Sequence, residues 1–230
     1  MTDENRQVHV SRTGSIAKSI IFIAIMGLFI FVPAGTLDWP MAWVLMGIYV
    51  LVFSAVILLV SDGLLEERSK RHTDSKPWDR ILVTILFIMG FAVLAIAGLD
   101  HRFGWTGELP LAVEICACVL VILGNILVIW AAIKNDFFSA TVRIQEDREH
   151  TVVSTGPYRF VRHPGYVGMI TYVICQPLML GSLIALVPAL VTAGLFLLRT
   201  SLEDRTLQGE LPGYREYAGQ VRYRLVPGVW

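Results

Sequence analysis

Charge is missing from long stretches of this chain, and that absence constrains the fold more than any motif does. Residues 19–37, 39–61 and 81–99 carry no Asp, Glu, Lys or Arg, and residues 109–133 carry only Glu114. Each run matches the roughly 20 apolar residues that cross a bilayer as a helix and far exceeds the roughly 10 of a spanning strand. In hydrocarbon every backbone N–H and C=O must be satisfied within the protein, so runs of this length become helices. A mean hydropathy of +0.62 and a composition 55% hydrophobic and 17% charged agree. The expected fold is an all-α polytopic membrane helical bundle with four spans, a C-terminal helical hairpin and a cytoplasmic tail.

The hairpin is residues 165–198, 34 residues without a charge, too long for one ordinary span. Gln176-Pro177 and Gly181-Ser182 are expected to break it near its middle. Each half is then about 15 residues, or about 22–24 Å of helix. That is short of a ~30 Å hydrocarbon core, so the segment reads as a hairpin that dips into the bilayer and returns. Lys and Arg collect in the tail 1–18, in the loops 62–80 and 134–164, and after residue 198; they are sparse near 38 and 102. The positive-inside rule then sets both termini and both rich loops in the cytoplasm. The expected location is a bacterial inner membrane.

Several function classes fall away. A net charge of zero gives no basic footprint for nucleic acid. Cys116, Cys118 and Cys175 sit in apolar runs and read as small core residues. The five histidines show no HExxH and no close pair, so no metal is expected. No P-loop, GxGxxG fingerprint or GxSxG elbow is present. Glu114 is an ionisable group in a membrane run, either functional or interfacial. Asn125 reads as a pin between helices.

What remains is a polar stretch, residues 156–166, that packs two arginines, a histidine, two tyrosines, two prolines and two glycines between apolar runs. Pro157 and Pro164 push the residues before them out of the helical region, which makes a shaped loop leading into a helix. The hairpin returns Arg199, Glu203 and Asp204 to the same membrane face. Together with Gln145, His150, Tyr158, Arg162, His163 and Tyr166 they form a cluster suited to a zwitterionic, aromatic cofactor. Arg199 and Glu203 are also spaced as an i,i+4 pair, and an ion pair between them is the bland alternative.

Gln145, then His150-Thr151-Val152-Val153, then Gly156-Pro157-Tyr158, Arg162-His163-Pro164 and Tyr166-x-Gly168, followed by Arg199-x-x-x-Glu203-Asp204 and Tyr214-x-x-Tyr217, resemble the isoprenylcysteine carboxyl methyltransferase family. Phospholipid methyltransferases and some membrane sterol reductases are similar in the same region. The resemblance covers about residues 125–230, an expected catalytic region; residues 1–124 match only as spans, and one integral membrane domain is expected over 1–230. It implies methyl transfer from S-adenosylmethionine. It also implies that Gln145, His150, Thr151, Val152, Val153, Tyr158, His163, Pro164, Gly165, Tyr166 and Glu203 surround the cofactor. Arg199, Arg162 and Glu203 are the residues it implies for the transfer, with Arg199 facing the acceptor's carboxylate.

Two departures stand out: Asp204 takes the place of a second glutamate, and Gln220 stands where members acting on prenylcysteine often carry arginine. The expected acceptor is a small lipophilic molecule entering from the bilayer, methylated first of all on a carboxylate. The alternatives are amine methylation of a phospholipid head group and a non-catalytic membrane scaffold.

Overall fold

A computed structural model describes residues 12–70 and 74–230. The expected polar tail before Arg12 lies outside the described residues, as do Arg71 and His72. The described chain is all-α: α1 Arg12–Ala34, α2 Pro40–Leu59, α3 Asp62–Ser69, α4 Pro77–Phe103, α5 Leu111–Lys134, α6 Pro164–Met179, α7 Leu186–Glu210 and α8 Tyr214–Gln220. Proline begins α2, α4 and α6, where its missing N–H is one the helix leaves unpaired anyway. The Ser61 hydroxyl accepts the Leu64 N–H and caps α3.

The chain is a multi-pass integral membrane protein. Five helices, α1, α2, α4, α5 and α7, are long and apolar enough to cross a membrane. The one beyond the four expected runs is α7, expected as a half-length arm. It has 25 residues, about 38 Å of helix, because its backbone continues through Arg199 and Asp204 instead of stopping at the first charge.

Of the two expected breaks, the hairpin turns at Gly181-Ser182 and not at Gln176-Pro177. Gln176 and Pro177 lie inside α6, and the turn falls at Gly181, whose φ of +73° is left-handed, a conformation open to glycine at little cost. Pro177 is tolerated because α6 ends two residues later, so the hydrogen bond it forfeits lies in the last turn. The turn meets the far end of α4. The Ser182 hydroxyl donates to Asp100 Oδ2 at 2.5 Å, and Leu183 N–H donates to Thr106 Oγ1 at 3.0 Å. The hairpin therefore runs the length of α4 instead of dipping partway. Glu114, half-buried in the first turn of α5, lies beside Gly181 at this same end.

In lipid, burying leucine against leucine gains little over leaving it in acyl chains, so close backbone approach has to supply much of the packing. α5 and α6 meet at Gly124 and Gly168, where a Cβ on Gly168 would lie 2.4 Å from the Gly124 carbonyl oxygen. Ile30, Leu45, Val93, Leu94, Val121 and Met179 fill the centre of the bundle. One polar link crosses it: Gln176 Nε2 donates to the Tyr49 hydroxyl at 2.6 Å, which lies 3.0 Å from the Tyr172 hydroxyl. Asn125, expected to pin two helices, instead donates to Val121 O of its own helix at 2.8 Å.

At the other end the loops gather. Lys76 N–H donates to Val142 O at 3.0 Å. Arg143 grips Glu67 of α3 with Nε and Nη2 at 2.8 and 2.9 Å, and also reaches Asp74 and Asp147. The tail returns over residues 162–163, whose N–H groups donate to Tyr223 O and Arg224 O at 2.9 Å each.

Candidate active site

Between these loops and the upper turns of α6 and α7 lies a cavity. Of the residues named from sequence, His150, Thr151, Val152, Val153, Tyr158, Arg162, His163, Gly165, Tyr166, Arg199 and Glu203 line it. The two stretches, 150–166 and 199–203, do converge across the hairpin. Gln145 and Pro164 do not line the cavity. Gln145 is buried, donating to Phe137 O and accepting from Arg148, so it shapes the loop behind the wall. Pro164 starts α6 and holds its entry.

Glu203 presents the open carboxylate. Tyr166 donates its hydroxyl to Glu203 Oε2 at 2.5 Å, and the side chain keeps 24% of its exposure. Asp204, next in sequence, has the opposite fate. Fully buried, it accepts both Nε and Nη2 of Arg162 at 2.7 and 3.0 Å, Arg224 Nε at 2.8 Å, the Tyr214 hydroxyl at 3.1 Å and Gln208 Nε2 at 2.8 Å. His163 Nε2 lies 3.2 Å from the same carboxylate. Arg162 spends its remaining nitrogen on Val221 O and Arg222 O. Burial lowers the Arg162 guanidinium most, but the hydrogen bond and charge of Asp204, with Tyr214 and Tyr217 beside it, together raise it. In this geometry Arg162 clamps the C-terminal tail to the cavity wall.

Arg199 is not paired with Glu203. Its Nε and Nη2 take the buried Asp79 of α4 at 2.7 and 3.2 Å, and Nη2 also donates to Ala140 O at 2.8 Å. Nη1 makes no hydrogen bond to any described residue, and the guanidinium sits 5.6 Å from the Tyr166 ring centre. Asp79 reaches on to the Val142 N–H at 2.7 Å. Sequence reasoning missed Asp79 and the wall segment containing Phe137, Phe138, Thr141 and Arg143. Nothing local marks them, since each looks like an ordinary member of a polar loop.

His150 stacks on Phe137 with ring centres 4.3 Å apart, and its Nδ1 accepts the Gln145 N–H at 3.4 Å. Burial, helped by Arg148 and Arg143, pushes its pKa down to about 4. The ring is thus neutral at physiological pH. A depressed histidine binds protons more readily unfolded, so stability falls as pH drops from ~6.5 toward 4. Thermal unfolding of His150→Asn beside wild type should show this: the two curves run parallel above pH 7, and the wild type loses ground between pH 6.5 and 4.

The donor set fits a zwitterionic aromatic cofactor. Glu203 offers a carboxylate and the 150–153 segment a neutral edge. Among the described residues no cluster of His, Cys, Asp or Glu is arranged to hold a metal.

The cavity thus opens where the loops of a helical membrane bundle gather. The fold is similar to the solved eukaryotic intramembrane Ras methyltransferase ICMT (isoprenylcysteine carboxyl methyltransferase) without a monobody, with a TM-score of 0.51. The likeness covers 94% of this chain and 77% of that one at 18% identity. Residues 116–209 match the model of the isoprenylcysteine carboxyl methyltransferase (ICMT) family. No curated protein matches the sequence.

Proposed function

We propose that this protein methylates the carboxylate of a lipophilic, isoprenylcysteine-type acceptor with the methyl group of S-adenosylmethionine. The observation that carries this reading is Arg199, held on two nitrogens by Asp79 and Ala140 while Nη1 stays open at the cavity. A guanidinium only donates hydrogen bonds, so its partner is an acceptor: a carboxylate suits it, an ammonium does not. When bound, the cofactor supplies an electrophilic methyl on a sulfonium.

A carboxylate is already the nucleophile at neutral pH, so the protein's work is to orient two reactants and keep water out. Arg199 orients the acceptor head. Glu203, fixed by Tyr166, takes the cofactor's cationic side, and the Tyr214–Tyr217 wall from α8 covers the site. The acceptor's tail reaches the cavity from the bilayer. The Lys- and Arg-rich loops that meet around the cavity support a cytoplasmic site with both termini on that side.

The test uses the full chain in detergent. Isothermal titration with S-adenosylhomocysteine should show saturable binding, weakened tenfold or more in Glu203→Gln, as befits a lost hydrogen bond to a charged group. Labelled S-adenosylmethionine with N-acetyl-S-farnesylcysteine should give a base-labile methyl ester. No binding by folded protein overturns the methyltransferase reading; a base-stable label in lipid amines overturns the carboxylate acceptor.

A further inference from the structure

Asp79, in the first turn of α4, is fully buried and does not line the cavity. Its two oxygens nevertheless hold a residue that does. Oδ1 accepts Arg199 Nε at 2.7 Å, and Oδ2 accepts Arg199 Nη2 at 3.2 Å and the Val142 N–H at 2.7 Å. A guanidinium is planar and carries five N–H donors. Asp79 takes one from Nε and one from Nη2, and the Ala140 carbonyl takes the other from Nη2 at 2.8 Å. The two left over are both on Nη1. That nitrogen makes no hydrogen bond to a described residue, and Thr141 Oγ1 is the only side-chain nitrogen or oxygen among the described residues that is buried without a partner. Nη1 therefore keeps accessible surface, on a residue that lines the cavity. The wall beside it is held from the same turn of α4, since the Lys76 N–H donates to Val142 O at 3.0 Å.

We propose that Asp79 is a positioning residue for methyl transfer, which fixes the plane of the Arg199 guanidinium so that Nη1 alone meets the acceptor's carboxylate. This rests on the carboxylate-methylation reading above. Three committed donors leave the side chain no second way to face the cavity. Asp79 also balances the buried charge of Arg199, so the acceptor is oriented by one nitrogen and its nucleophilic oxygen is not locked into a bidentate ion pair. Position is what such a residue supplies, and misplacing a reactant by about 1 Å can cost about a hundredfold in rate. The loss belongs in kcat, because an Arg199 freed from its counter-charge still attracts an anion but holds it in the wrong place. Asparagine cannot substitute at this position: one of its two ends is a donor, and it faces either Nε or the Nη2 and Val142 N–H groups.

The experiment measures S-adenosylhomocysteine affinity, and KM, kcat and direct binding affinity for N-acetyl-S-farnesylcysteine, on the full chain in Asp79→Asn, Arg199→Gln and the double variant. In Asp79→Asn the expected results are cofactor affinity within about twofold of wild type, KM unchanged or lower, and kcat down about tenfold or more. Adding Asp79→Asn to Arg199→Gln should cost nothing further in kcat or in probe affinity, since Asp79 acts through the guanidinium. The double variant leaves no unpaired buried charge, so this comparison decides even where Asp79→Asn alone does not fold. Lys76→Met is the control: Lys76 Nζ ties α4 to α7 through the exposed Glu210 at 2.7 Å, and its loss should leave every value unchanged. Wild-type kcat or a raised KM in Asp79→Asn, a cofactor affinity that falls in step with kcat, or a further loss in the double variant overturns the proposal. An equal loss in Lys76→Met overturns it too, by assigning the effect to α4–α7 packing. Failure of the carboxylate reading shows in the wild type, as no ester from the probe, and the Asp79 role falls with it; failure of the Asp79 role alone shows only in the variants.

Discussion

Asp204→Ala should release the C-terminal tail and abolish cofactor binding together with turnover. No other carboxylate in the site has as many partners: two guanidiniums, a tyrosine, a glutamine and His163 all converge on it. Removing one partner of a buried ion pair costs about 3–5 kcal/mol, because the other charge stays behind unpaired. Here two arginines lose their partner at once. Arg162 links Asp204 to Val221 O and Arg222 O, so the loss propagates into the strand-like contact that lays residues 223–224 over 162–163. Tyr214, a lining residue, loses its hydroxyl's anchor in the same step. In detergent the melting temperature should fall on the order of 10 °C, and limited proteolysis should cut after α8 where the wild type is protected. Asp204→Asn keeps the volume but points an amide at a ring of donors, so it should fail almost as badly. A variant with wild-type melting and an intact tail would remove Asp204 from this role.

The contrast between Glu203 and Asp204 shows what was legible in the sequence. Both residues, and the 150–166 stretch across from them, were readable as a site because their types and order are chemical. Their convergence followed from an even number of crossings between them. Which of the two carboxylates faces the cavity and which one ties the wall together is a matter of helix rotation, and adjacent residues on a helix point about 100° apart. Asp79 was illegible for a different reason. It is 120 positions from Arg199, in what reads as a solvated basic loop, and only the packing of α4 against α7 makes it buried. The length of α7 has its own cause. The apolar run ends at Leu198, but Arg199 and Asp204 are neutralised by partners from other elements, so α7 continues to Glu210. Pro177 marks the end of α6 without breaking it, since the lost N–H and the ring act on the turn before it and the helix closes two residues later.

Gly168→Val should be the most damaging apolar substitution in the bundle, and it should act on the site without touching it. A Cβ there would lie 2.4 Å from Gly124 O, 3.1 Å from the Val128 nitrogen and 2.7 Å from Val128 Cγ2. The first two are backbone atoms of α5 that no rotamer change can move aside, so α5 and α6 must separate along their crossing. Overpacking typically costs 1–3 kcal/mol, and more is expected where helix backbones are in contact, since close approach is the main attraction available to helices in lipid. The separation also moves Tyr166 and Gly165, within one turn of residue 168, away from Glu203 on α7. S-adenosylhomocysteine affinity should therefore fall together with melting temperature, and Gly168→Ala should show the same pattern more weakly. Gly194→Ala in α7 is the control. A Cβ there meets nothing within 4 Å, so it gains only the ~0.5–1 kcal/mol by which alanine favours a helix interior over glycine. It should melt at or above the wild-type temperature with unchanged binding. If both glycines tolerate alanine equally, the α5–α6 crossing is looser than backbone contact, and it does not set the geometry of the site.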